Sequence, residues 1–208
     1  MQPGTPHRSL KERQRQERAD LILQVAEQVL AEKGYYDTSM DEIAARVGVA
    51  KGTVYLHFPS KEDMVFALFE RELEAFLLTV TQISAASSTA RARLENILQE
   101  MYQGLLGKRM RLLLSFYSNM DVRTGLIEKK EQLRTRLEQL ATIISALLEE
   151  GKAAGEFDTL IPTSVMLSTF FSLLSPHAYK HLVVEEKMSP EELVTHLERI
   201  YFKGIAAA

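Results

Sequence analysis

Apolar residues along this chain recur at intervals of three and four, and no stretch alternates with the period of a strand. The pattern predicts an all-α fold of about nine helices. Ile22, Val25, Ala26, Val29 and Leu30 form one stripe, preceded by the capping box Ser9-Leu-Lys-Glu12 and closed by Gly34, a residue free to take positive φ. Thr38 and Ser39 offer overlapping N-caps for a helix starting near residue 39 or 40, which Gly48 stops. Lys51 to His57 reads as a second short helix, ended by Pro59, because proline disfavours helix at the residue before it. Ser60-Lys-Glu-Asp63 opens a fourth helix with Met64, Val65, Leu68, Phe69, Leu73, Phe76, Leu77 and Val80 on its apolar face.

The small polar stretch Ser84 to Thr89 marks a turn between two layers, and five more helices follow, near 90–106, 109–119, 123–151, 163–181 and 190–204. Leu133, Leu137, Leu140, Ile144 and Leu147 make a bundle seam on the third of these, with Gly151 and Gly155 as its stop. Ser189-Pro190-Glu191-Glu192 combines an N-cap, proline at the first helical position and Glu at the third.

Composition narrows the function. The 208 residues include no cysteine, which excludes a disulfide scaffold, a thiol nucleophile and a thiolate metal site. The first ten residues lack the apolar core of an export signal, and the longest uncharged run, Thr159 to Tyr179, is broken by Pro162 and Pro176, so a cytoplasmic location is expected. The net charge of -3 argues at first against a nucleic-acid partner, but it is uneven: residues 8–61 sum to +1 and the remainder to -4. Arg8, Lys11, Arg13, Arg15 and Arg18 crowd the first of these regions. On charge alone they describe a solvated helix start.

The two short helices supply the chemistry. Ile43, Ala44 and Val47 pack the first across the second, Val49 and Val54 fill the junction, and Gly48 makes the tight turn: a helix-turn-helix. The second helix presents Lys51, Gly52, Thr53, Tyr55 and His57. Helices that read the major groove protrude and carry polar or small side chains on the outer face, and Gly52 leaves the backbone bare for close approach. The stretch from Gly34 to Glu62, with its Gly52-Thr-x-Tyr-x-His-Phe-x-x-Lys61 spacing, closely resembles the DNA-binding domain of the TetR family of bacterial transcriptional regulators, over about Arg15 to Leu68. The resemblance implies a DNA-binding domain over 10–75 and a ligand-binding and dimerisation domain over 76–208. It implies phosphate contacts from Thr38, Tyr55, His57 and Lys61, and a base-facing role for Lys51, Gly52 and Thr53. Hydroxyl, phenol, imidazole and ammonium are all donors toward an anion. Beside such a domain the basic cluster at 8–18 reads as an arm that can track backbone or minor groove, with a disordered solubilising tail as the other reading. One position departs from the pattern: family members often cap the recognition helix with serine, and this chain has Ala50.

For the second domain the resemblance implies homodimerisation and an unknown small-molecule inducer. The helix near 163–181 is apolar nearly all round and that near 190–204 carries Leu193, Val194, Leu197, Ile200 and Tyr201 on one face; two of each make a four-helix interface. Met101, Tyr102, Leu105, Phe116, Tyr117, Met120, Phe170, Phe171 and His177 are pocket candidates, although for any one of them taken singly simple core is the commoner role. No cofactor, catalytic or metal motif is expected: the P-loop, GxGxxG, GxSxG and HExxH patterns are absent, and His177 with His181 and Glu185 lacks a convincing third ligand. The expected function is a repressor released from an inverted-repeat operator by an apolar or amphipathic ligand. Two alternatives are an activator or partner-controlled regulator, and a helical small-molecule-binding domain with a vestigial helix-turn-helix.

Overall fold

A computed structural model describes residues 9–106, 130–173, 182 and 188–207. Among the described residues eight helices are present: α1 (Leu10–Asp37), α2 (Met40–Val47), α3 (Lys51–His57), α4 (Lys61–Ser84), α5 (Ala90–Leu106), α6 (Lys130–Ala153), α7 (Thr163–Ser172) and α8 (Pro190–Gly204). The helix expected near 109–119, and the expected parts 123–129 and 174–181 of its successors, lie outside the described residues.

Two apolar clusters define two units. The first gathers Ile22, Ala26, Val29, Ile43, Ala44, Val54, Phe58, Met64 and Leu68 from α1 to α4. The second joins the C-terminal half of α4 (Phe76, Leu77, Val80) to Leu94, Leu98, Ile144, Leu148, Phe170 and Phe202. One helix, α4, therefore contributes to both cores.

Local signals set the ends. Ser9 and Ser189 each form the reciprocal capping box with Glu12 and Glu192. Ser39 and Ser60 accept the amides of Glu42 and Asp63 at the starts of α2 and α4. Gly34 takes positive φ (80°) as expected, but a last helical turn continues past it to Asp37. The layer turn is tied by Arg93, which donates to the carbonyl of Ser84 at 2.8 Å and pairs with Glu150 on α6. The Glu156 carboxylate reaches across to the α5 start, accepting the amides of Ala90 (3.4 Å) and Arg91 (2.9 Å).

Three expectations need correction. Gly151 does not stop α6; the helix passes through it to Ala153, and the stop is Gly155 with φ 73°. A Cβ on Gly151 would lie 2.2 Å from the Phe157 ring, so the absent side chain makes room for that ring. Leu137 is not a seam residue within the protomer, being 44% exposed, whereas Leu140, Ile144 and Leu147 are buried. On α8, Leu193, Val194, Leu197 and Tyr201 are buried in their own core, leaving only Ile200 of that expected face outward, at 67%.

Phe157 is 1% exposed and stacked on Phe202, so it cannot move aside. Gly151→Ala is expected to destabilise the protein by about 1–3 kcal/mol, the cost typical of overpacking. Adding Phe157→Leu to it should recover part of the loss in thermal or denaturant unfolding.

Candidate nucleic-acid interface

The turn between α2 and α3 is built from the main chain. Gly48 adopts the left-handed conformation (φ 78°, ψ 32°), and its amide and that of Val49 both return to Ala44 O at 3.0 Å. This closes α2 and aims the chain into α3. Ala50 precedes α3 without a side-chain cap, and the local closure is the Thr53 amide on Ala50 O at 2.8 Å. Val54 is the buried residue of α3 and pins its inner face.

The outer face carries Lys51, Gly52 and Tyr55, all exposed, with Thr53 and His57 half-buried beside them. Nothing lies within 4 Å of a Cβ built on Gly52, so no protein contact requires glycine there. Lys51 forms an exposed ion pair with Asp41 (2.7 Å), which holds the lysine pKa above its ordinary value, and its ammonium lies 5.8 Å from the Tyr55 ring. Burial pushes the His57 pKa down, and the positive charges of Arg15 and Arg18 push the same way.

Thr38 and Lys61 face inward. Thr38 is 2% exposed, and its hydroxyl donates to Gly34 O at 2.6 Å. The Lys61 ammonium donates to the carbonyls of Tyr35 (2.7 Å) and Thr38 (3.0 Å) and stands 4.1 Å from the Tyr35 ring centroid. The Tyr35 hydroxyl in turn donates to Glu62. The family resemblance implies free donors toward phosphate at both positions; the structure instead engages them in joining the end of α1 to the start of α4. The expected set also omits two exposed apolar or aromatic side chains of this domain, Leu56 on α3 and Tyr36 at the end of α1. For Leu56 the sequence holds a signal: it sits between Tyr55 and His57 on a helix too short to hide it.

Of the pocket candidates, Tyr102 and Phe170 are core residues, and Met101 and Phe171 pack half-buried against the same cluster. The Tyr102 hydroxyl donates to Leu173 O, tying α5 to α7. The Leu105 side chain, Phe116, Tyr117, Met120 and His177 lie outside the described residues, as do His181 and Glu185. Among the described residues no group of three side chains is placed to hold a metal, and no helix is long and apolar enough to cross a membrane.

A protruding, uncapped short helix seated on a two-helix support, joined by one long helix to a separate apolar bundle, defines a helix-turn-helix transcriptional regulator. A family model described as bacterial regulatory proteins, tetR family, matches residues 22–68. The chain is 27% identical over 184 residues to a fatty acid metabolism regulator protein of Bacillus subtilis, covering 88% of this chain and 93% of that one. A TetR/AcrR-family regulator from Thermobifida fusca superposes with a TM-score of 0.73 at 28% identity, over 90% of this chain and 98% of that one. A regulator from Bacillus subtilis in complex with stearoyl-CoA has the same fold, with a TM-score of 0.68 at 23% identity over 89% and 98%. Residues 22–68 thus match the DNA-binding part of the tetR family, and over most of its length the chain is similar to TetR-type transcriptional regulators.

The geometry separates two lysines that look alike in sequence. Lys61→Met strands two carbonyls and should cost about 1.5–3 kcal/mol, the usual range for hydrogen bonds to a charged group. Lys51→Met removes an exposed pair and should leave stability nearly unchanged. Urea unfolding of the two variants checks this; equal effects would mean that Lys61 does not hold the domain together.

Proposed function

We propose that the protein is a homodimeric, cytoplasmic repressor that leaves its operator when an amphipathic acyl ligand binds the second domain. The observation that carries the DNA half is Gly52, bare on an exposed helix and unneeded by the protein itself. In this reading residues 10–75 bind DNA and 76–208 sense and dimerise. Lys51, Gly52 and Thr53 face bases; Tyr55 and His57 face phosphates; Thr38 and Lys61 position them. Two recognition helices about 34–36 Å apart occupy successive major grooves of an inverted repeat.

Dimerisation through α7 and α8 is supported by what those helices leave outside. Val165 is 51% exposed and Ile200 67%, and the Tyr201 hydroxyl on Met166 O (2.9 Å) holds the two helices side by side. Leu160, just before α7, is 87% exposed. Exposed apolar side chains on and beside two adjoining helices suit a two-fold self-complementary contact. Ligand binding is supported by Met101 and Phe171, half-buried at the edge of the second core, and by the relative named for fatty acid metabolism. The solved neighbour holding stearoyl-CoA suggests the compound to try first.

Gly52→Ala separates folding from recognition. Alanine is the better helix former by about 0.8–1 kcal/mol, so the variant should be more stable in thermal unfolding. Its methyl group stands where DNA is to approach, so affinity for a duplex selected by the unaltered protein should fall roughly tenfold, which is about 1.4 kcal/mol. Unchanged affinity would remove Gly52 from the interface.

The ligand half is tested with stearoyl-CoA. Titration should raise the unfolding temperature and weaken operator binding together, as linkage requires of a ligand that prefers the released state. Saturation without any change in operator affinity would defeat the release mechanism.

A further inference from the structure

We propose that the first three turns of α1 form a second DNA contact, in which Lys11, Arg15 and Arg18 lie on phosphates flanking the groove that α3 enters. The proposal rests on the regulator reading and extends its contact surface.

The buried part of α1 begins at Ile22; between Leu10 and Leu21 every residue but Ala19 is exposed. At 1.5 Å per residue this leaves about 18 Å of helix standing clear of the first core. Its charges are sorted by face. Lys11, Arg15, Arg18, Ile22, Val25 and Val29 follow one another at spacings of four, three, four, three and four. At about 100° per residue they share one side of the helix. The side that packs onto the other helices beyond Ile22 is thus continued by three cations before it. Arg13 and Asp20 fall roughly opposite Lys11, and Glu17 well off the stripe. Glu12, on a third face, caps Ser9.

Two of the three cations are within electrostatic reach of the end of α3. The charges of Arg15 and Arg18 act on His57, at the end of the recognition helix. The stripe is also unneutralised. Beyond the first turns of α1, where Arg13 on the opposite face also forms no ion pair with a described residue, the cations of the first unit are engaged: Lys33 with Glu42, Arg46 with Glu32 and Glu42, Lys51 with Asp41, Arg71 with Glu27, and Lys61 with two carbonyls. Lys11, Arg15 and Arg18 form no ion pair with a described residue. Three uncompensated cations over about 10 Å of helix are close enough together to neutralise phosphates of one strand, which carries a charge about every 3.4 Å. DNA supplies that charge at the place where the interface already brings it.

The test uses the full chain and duplexes enriched from a random pool by the unaltered protein. Binding is measured against KCl concentration, on duplexes whose flanks are trimmed stepwise. Lys11→Gln/Arg15→Gln/Arg18→Gln should keep the site preference but lower the slope of log affinity against log salt by about 0.9 for each phosphate that is no longer neutralised. The unaltered protein should lose affinity as flanks are trimmed, and the triple variant should not. Arg13→Gln, on the opposite face, should leave both readouts in place. An unchanged slope and flank dependence in the triple variant would overturn the proposal. So would an Arg13→Gln effect equal to that of Arg15→Gln, since net charge alone would then explain it. If the pool yields no preferred duplex at all, the regulator reading itself fails, and the arm with it.

Discussion

The ammonium of Lys61 rests on the carbonyls of Tyr35 and Thr38, and the arrangement of the DNA-binding unit depends on that junction. Gly34 breaks α1 with a positive φ, and the turn after it leaves main-chain carbonyls without helical partners. A cation is the natural complement to such an end. Here it comes from the first residue of α4, while the neighbouring Glu62 accepts the Tyr35 hydroxyl. The start of α4 thereby holds the end of α1, and α2 starts two residues past Thr38. The pair Arg71 and Glu27 (2.8 Å) repeats the attachment farther along both helices. Any displacement of α4 has to carry the helix-turn-helix with it.

The other half of α4 is embedded in the second core, where polar ties make its neighbours a stiff frame. Arg93 and Glu150 join α5 to α6, and Lys152 donates to Ile161 O (2.6 Å) ahead of α7. The buried hydroxyls of Tyr102 and Tyr201 both donate to carbonyls of the α7 segment, at Leu173 and Met166. A buried phenol without a partner is costly, so these bonds fix α7 against α5 and α8. Repacking beside Tyr102 or Phe170 would therefore be transmitted through the frame rather than absorbed locally, because close-packed interiors shift between discrete arrangements.

What could be read in the sequence was what is local in it. The start of α2, both ends of α3, both capping boxes and the positive φ of Gly48 follow from residues within five positions of each other. The α3 face was legible for the same reason: Lys51 to His57 are consecutive. Contacts between distant residues were not. Nothing near Gly151 reveals that Phe157 will turn back onto it, and Gly151 looks like an ordinary helix stop. Lys61 and Thr38 are 23 positions apart, and both look like free donors until α1 and α4 meet. The engagement of Lys51 by Asp41 spans ten positions and was hidden likewise. The exposed stripe of α1 was present as spacing, but only the point where burial begins distinguishes an arm from a core face.

The length of α4 decides how much a ligand must do. Its 24 residues make a rod about 36 Å long. A tilt of about 5° around its far end would move the first turn by about 3 Å, and in the proposed dimer two protomers would double the change in separation of the recognition helices. That is a large error against the groove spacing of about 34–36 Å. Reversing the populations from about 1:99 to 99:1 takes a differential affinity of about 5.5 kcal/mol. At about 0.8 kcal/mol per buried methylene, roughly seven methylenes held in the released state alone would supply it. A short polar metabolite has no such apolar area. A long acyl chain, the ligand class proposed above, does. The population shift that the proposed release requires thus favours the same ligand class as the proposal names.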